Sequence, residues 1–150
     1  DKGIDIAFIE EMPLGTIQSH DRAITYCSSD DVREIIEQRY PLIHNPQKTA
    51  GPSRYYSMVN HDTQIGFISP HSHNFCGDCN RVRVTVEGRL LLCLGNEHSI
   101  DLMPILHGQP GQIEPLKQAI IASMALKPEK HHFDLHEKPQ ILRFMNATGG

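Results

Sequence analysis

The chain has 150 residues, enough for one ordinary domain with a packed core, and 39% of them are hydrophobic. Fourteen Lys and Arg against eighteen Asp and Glu give a net charge of −4, which excludes a globally basic surface for a polyanion such as nucleic acid. No apolar run approaches a membrane span, and the first residues are charged rather than a basic stretch leading into an apolar core. The expectation is therefore a cytoplasmic protein, or one of an organellar matrix in a eukaryote, with no membrane or nucleic-acid partner.

The run Ile4-Asp5-Ile6-Ala7-Phe8-Ile9 predicts a short, largely buried strand over 5–9, ending at Glu10-Glu11-Met12-Pro13. A lone buried strand needs neighbours, and the chain opens on Asp1 without a methionine, so a preceding segment is expected to be missing. Ser28 or Ser29 can cap a helix through Asp31, Val32, Ile35, Ile36 and Arg39, with acids in its first turn and Pro41 as its stop. The stretch from Asn45 to Pro52 reads as a mobile connection. Strand-like runs follow at Arg54 to Val59 and Gln64 to Ser69, joined by the polar Asn60-His61-Asp62-Thr63 as a hairpin. Two more are expected at Arg81 to Val86 and Leu90 to Leu94, then a helix from Ile113 to Leu126, with irregular chain from Pro128.

Four cysteines are present, and three of them, Cys76, Cys79 and Cys93, form a C-x2-C-x13-C pattern. A core-rich chain of this size does not need disulfides, so the cluster points to metal and leaves Cys27 as a structural or surface thiol. A C-x2-C pair places two thiolates from one tight loop, and a third arrives on a separate strand. The spacing alone does not choose between zinc and an iron–sulfur group.

Directly after Cys79 the sequence alternates as Arg81, Val82, Arg83, Val84, Thr85, Val86, the pattern of a strand with one polar and one apolar face. Two guanidiniums on one face stand ~7 Å apart, a separation at which two forked donors can grip different phosphates of one polyphosphate. The following turn decides where Cys93 falls. A two-residue loop at Glu87-Gly88 would pair Val86 with Arg89 and set Cys93 opposite Val82. A three-residue loop, Val86-Glu87-Gly88, pairs Thr85 with Arg89 and Cys93 with Arg81. The second is preferred, because Glu suits a positive φ poorly whereas Gly88 suits the left-handed bulge position.

These residues resemble the C-terminal part of the MoaA family, the GTP 3′,8-cyclases of molybdenum cofactor biosynthesis. Phe8-Ile9-Glu10-Glu11-Met12-Pro13 resembles that family's last barrel strand, Phe75 to Arg83 with Cys93 its second cluster motif, and Gly149-Gly150 its diglycine tail. The resemblance implies an α+β fold: the last strand of a truncated α/β barrel, then a mainly antiparallel sheet domain with helices and an iron–sulfur site. It implies residues 1–15 as strand and edge of a radical-SAM barrel, 16–53 as a helical connection, and 54–150 as the cluster- and GTP-binding domain. It also implies Cys76, Cys79 and Cys93 as ligands of a 4Fe-4S cluster with one open iron position for the guanine of GTP. Arg81 and Arg83, with the backbone at Val82, would hold GTP; Met12 would lie near SAM; Gly149 and Gly150 would enter the active site and assist catalysis.

In that family an N-terminal barrel, with SAM and a second 4Fe-4S cluster, generates a 5′-deoxyadenosyl radical that takes the 3′ hydrogen of GTP. The sugar carbon then attacks C8, giving (8S)-3′,8-cyclo-7,8-dihydroguanosine 5′-triphosphate, and the resemblance further implies a homodimer. Two features depart from the pattern. The chain contains no C-x3-C-x2-C radical-SAM motif, so it is expected to be inactive alone, and Ala7 stands where relatives often carry a substrate-contacting arginine. The competing expectation is a zinc-binding interaction module in which His71, His73 or His98 joins the three cysteines.

Overall fold

The structure is a computed structural model, and it describes residues 3–46, 49, 51–136, 143 and 148. The fold is α+β, with one mixed and one antiparallel sheet. The chain divides into two compact units, one of residues 1–12 and 21–75, the other of 13–20 and 76–150.

In the first unit four strands, β1 (Ile6–Ile9), β2 (Leu42–His44), β3 (Arg54–Met58) and β4 (Gln64–Ile68), form a sheet in the order β1-β4-β3-β2. The anticipated hairpin is β3–β4, with Ser57 opposite Gln64 and Tyr55 opposite Gly66. Strand β1 lies parallel to β4, Ile6 opposite Ile65 and Ile9 opposite Ile68. Contrary to the expectation of a buried strand, Ile6 and Ile9 are each 54% exposed, because β1 is a sheet edge with little packed over it among the described residues. Burial is concentrated on β4, where Ile65 and Phe67 lie inside and the Phe67 ring stacks on Phe8 and meets Tyr56 edge-on.

Two helices flank this sheet's strands in sequence, α1 (Arg22–Thr25) and α2 (Ser29–Glu37). Of the two serines that could cap α2, Ser28 does so. Its hydroxyl accepts from the Asp31 N–H at 3.1 Å, while the Asp31 carboxylate accepts from the Ser28 N–H at 2.9 Å. Helix α2 contributes Arg33, which donates to the Tyr56 hydroxyl at 3.2 Å and lies over the same ring.

Glu10 ties these elements together. It follows β1, is 3% exposed, and its carboxylate accepts from the N–H groups of Ser29 (3.0 Å), His71 (2.8 Å) and Ser72 (3.1 Å) and from the Ser72 hydroxyl. Burial alone would push this carboxyl up, but the Ser72 hydroxyl and the three backbone donors outweigh it and hold the pKa at about 2. Ser29 opens α2, so the charge also meets the positive end of that helix. Nearby Tyr26 is pushed up to about 12, by burial first and then by the Glu10 charge.

In the second unit β5 (Arg83–Val84), β6 (Arg89–Leu91) and β7 (Ser99–Asp101) form an antiparallel sheet in that order. Helix α3 (Met103–Gly108) follows, then α4 (Ile113–Ser123), which continues as a 3-10 turn over Met124–Leu126 and so fills the expected helix. The core is Leu90, Leu92 and Leu102, with Ile100, Leu116 and Ile120 packed against it. Burying each such leucine stabilises by about 1.5–3 kcal/mol, so this cluster is what fixes α4 on the sheet.

Strand β5 is shorter than the alternation suggested. Only Arg83 and Val84 join the ladder, and Arg81 and Val82 lie outside it. The alternating valines are not a buried face either, since Val82, Val84 and Val86 are 39%, 56% and 100% exposed. Among the described residues no helix is long and apolar enough to cross a membrane.

Candidate metal and anion site

The site is built on the first hairpin of the second unit. Arg83 pairs with Leu91 and Val84 with Leu90, and the Thr85 N–H donates to the Arg89 carbonyl at 2.9 Å. The loop is therefore the three-residue Val86-Glu87-Gly88, closed by the Gly88 N–H on the Thr85 carbonyl at 3.0 Å, with Gly88 at φ 74°. The preferred register is the one formed. Continued by two residues it would set Arg81 opposite Cys93, although the paired ladder ends at Arg83 and Leu91.

Upstream, Cys76–Asp78 form a 3-10 turn in which the Cys79 N–H donates to the Cys76 carbonyl at 3.0 Å. The two residues of the C-x2-C pair thus bracket one tight turn, as the spacing required. Cys93 follows the buried Leu92 and is itself half-buried. Burial pushes its thiol up most; the Gly95 N–H and the charge of Lys127 pull it down, while Cys76 and Cys79 push it up. Cys76 and Cys79 therefore lie near enough to Cys93 to act on its thiol. No cysteine is in a disulfide, and Cys27 is exposed, as expected of a surface thiol.

The glycine after this thiol has a packing reason. A side chain at Gly95 would place Cβ 2.6 Å from atoms of both His131 and Phe133, so only glycine lets that later segment lie against the cysteine loop.

Among the described residues no three His, Cys, Asp or Glu side chains converge as the ligands of a single metal ion. A cluster asks for a different arrangement, because each thiolate binds its own iron and the sulfurs need not meet around one atom. The donors suit such a group: three thiols, two from one turn and one, Cys93, from the chain just beyond β6, which ends at Leu91 rather than at the expected Leu94, with a backbone N–H directed to the Cys93 sulfur. Two histidines of the zinc expectation are engaged within the first unit. His71 Nε2 lies 3.0 Å from the Glu11 carbonyl, and His73 Nε2 lies 2.7 Å from the Asp30 carboxylate. His98 is exposed, with its backbone N–H on the Asn96 side chain at 2.8 Å.

Of the remaining expected site residues, Arg81 is exposed and Arg83 half-buried, and Val82 lies between them outside the ladder. Met12 is half-buried three residues beyond β1 in the first unit. Ala7 pairs with Gly66 inside β1. Gly149 and Gly150 lie outside the described residues, as do Gln47, Lys48 and Ala50 of the expected mobile connection. Sequence reasoning passed over Lys127, whose ammonium reaches this hairpin; its only signal was a lysine between the end of a helix and Pro128.

The second unit of this α+β chain thus carries the C-x2-C turn, the arginine segment and the Cys93 segment. The chain belongs to the Molybdenum Cofactor Synthesis C family, whose sequence profile matches residues 4–133. It is 60% identical over 150 residues to the GTP 3′,8-cyclase of Saccharophagus degradans, covering 100% of this chain and 45% of that protein. It is 57% identical over 150 residues to the GTP 3′,8-cyclase of Ectopseudomonas mendocina, with the same two coverages. GTP 3′,8-cyclase 2 of Pseudomonas aeruginosa is 58% identical over 147 residues, 98% of this chain and 44% of that protein. The chain thus spans a little under half the length of these curated relatives.

Proposed function

We propose that this chain is the cluster- and GTP-binding C-terminal part of a GTP 3′,8-cyclase acting in molybdenum cofactor biosynthesis in the cytoplasm. The observation that carries the reading is the Thr85–Arg89 register, which puts the arginine segment and the third cysteine on the two arms of one hairpin. Relatives that match the whole chain at about 58% identity and bear this name support it. The parent protein would supply a radical-SAM barrel with its own 4Fe-4S cluster, and a second copy would complete a homodimer.

In this reading Cys76, Cys79 and Cys93 hold a 4Fe-4S cluster, which when bound supplies an open iron position for the guanine. Arg81 and Arg83 make charge-assisted hydrogen bonds to the triphosphate, and the Val82 backbone, outside the ladder, is available to the same anion. Holding GTP at both base and phosphate ends fixes the ribose between them, which is the positioning that a hydrogen abstraction at its 3′ carbon requires. Met12 contributes to the SAM side, and Gly149 and Gly150 act near the substrate.

The test is anaerobic reconstitution of the protein with iron and sulfide, followed by metal and acid-labile sulfide analysis. A brown protein with iron and sulfide in equal amounts is the expected result. Stoichiometric zinc without sulfide would overturn it. The zinc-module alternative would have to draw on His98, or on His71 or His73 taken from their partners.

A further inference from the structure

The hairpin has a gap where its function needs order. The β5–β6 ladder stops at Arg83 and Leu91, and Arg81 and Cys93 lie beyond it on the two arms of the hairpin. What spans this gap is a side chain from elsewhere in the same unit. Lys127 Nζ donates to the Leu92 carbonyl at 2.8 Å and to the Arg81 carbonyl at 3.1 Å. One carbonyl belongs to the residue just before Cys93 and the other to the first arginine.

The sequence builds this reach in steps. Leu116 and Ile120 of α4 pack on the Leu90, Leu92 and Leu102 cluster, so the helix is anchored to the sheet that carries Cys93. The helix tightens into the 3-10 turn Met124–Leu126 and ends where Pro128 disfavours an α conformation at the preceding residue. Lys127 accordingly takes φ −65° and ψ 121°, its N–H still on the Met124 carbonyl at 3.2 Å. An ammonium suits this bridging role, since its three donors on a flexible stem can serve two carbonyls that diverge, where a planar guanidinium would impose its own geometry.

We propose that Lys127 is a positioning residue of this site, clamping the arginine-bearing segment to the cysteine-bearing segment that follows β6, through the Arg81 and Leu92 carbonyls. The inference rests on the cluster and GTP reading and adds a residue outside both ligand sets. It has a second consequence, because the ammonium sits 2.8 Å from the carbonyl of Leu92, the residue next to Cys93, and so carries its charge close to that ligand. A fixed positive charge beside a thiolate-ligated group favours its more reduced, more negative state, so it raises the reduction potential.

The experiment compares Lys127→Met, Lys127→Gln and wild type as full-length, anaerobically reconstituted proteins, with iron, sulfide and melting curves measured on each. GTP affinity is read by equilibrium binding and the cluster potential by redox titration followed by EPR. Both variants should keep wild-type iron content, bind GTP about tenfold more weakly and show a potential shifted to more negative values. A tether with only a structural role would lower the melting temperature, or lose iron, without moving the potential of the cluster that remains. That outcome, or wild-type affinity and potential in either folded variant, overturns the proposal. Methionine keeps the stem and removes the donors, and glutamine keeps a donor without charge, so one variant remains readable if the other fails to fold. Wild-type protein that takes up no cluster would instead sink the reading on which the inference rests.

Discussion

The Thr85 N–H donates to the Arg89 carbonyl at 2.9 Å, and that one bond fixes which residues of the cysteine strand face the arginine segment. A one-residue slip would move Cys93 to the other face of the hairpin. The bond depends on Gly88, whose φ of 74° costs a side-chain-bearing residue about 1 kcal/mol. A Cβ there would also lie 2.6 Å from the Met103 sulfur. Gly88→Ala should therefore lower stability by about 1–2 kcal/mol, read as a shift in the denaturant midpoint. Adding Met103→Ala to Gly88→Ala should not restore the midpoint to that of Met103→Ala alone, because the backbone strain remains. Full restoration would show that Met103 crowding, not φ, sets the cost.

The ligand assignment predicts an asymmetry among the four cysteines. Replacing Cys76, Cys79 or Cys93 with alanine should abolish iron and sulfide binding on anaerobic reconstitution, since in the proposed site each thiolate would hold its own iron. Cys27, exposed and remote in sequence, should be replaceable without loss. Iron loss from Cys27→Ala equal to that of the other three would remove the basis for the assignment.

How far the chain could be read in advance depended on whether the signal was local. The Ser28 cap, the 54–68 hairpin, the 113–126 helix and the Gly88 bulge all follow from residues within a few positions of each other, and all are present. The three-residue strands β2 and β7 were missed because alternation is not visible over three residues; β2 exists by pairing Ile43 with Ser57, and β7 by pairing Ile100 with Leu90. The Arg81 to Val86 alternation was overread, since a strand pattern does not reveal where its partner's backbone turns away. Neither Glu10 nor Lys127 could be found by pattern. Their donors and acceptors lie up to 62 and 46 positions away in sequence, and only the fold brings them within hydrogen-bond distance.

For the arginines the expected readout is GTP affinity in the full-length protein. Each charge-assisted contact contributes about 1.5–3 kcal/mol, so Arg81→Ala and Arg83→Ala should each weaken GTP binding roughly ten- to a hundredfold. Arg83→Lys should fall between wild type and alanine, because it keeps the charge and loses the planar fork. Guanosine, which has no phosphates, should bind all four proteins alike, and iron content should not change. If both alanine variants bind GTP as wild type does, these side chains are a solvated edge and the substrate reading fails.

Glu10 makes a prediction about acid stability that is independent of any ligand. Its carboxylate has a pKa of about 2 in the folded protein against 4.5 as the ordinary value, because buried donors favour the charged form. A depressed folded pKa means that the unfolded chain binds the proton more readily. The stabilisation is therefore complete above about 4.5 and is lost as pH falls from there towards about 2. Its size is about 3 kcal/mol, since the two pKa values lie about 2.5 apart and each step of one is worth about 1.4 kcal/mol. Glu10→Gln should lower stability near neutral pH by a similar amount, since the amide keeps the shape but presents N–H groups to a pocket already filled with donors. It should also flatten the stability profile over that acid range. The measurement is urea unfolding of wild type and Glu10→Gln from pH 7 down to pH 3, followed by the intrinsic tyrosine signal, with the two midpoints expected to converge as pH falls. A constant gap between them would mean that Glu10 acts by packing alone, and that its charge contributes nothing to joining Ser29, His71 and Ser72.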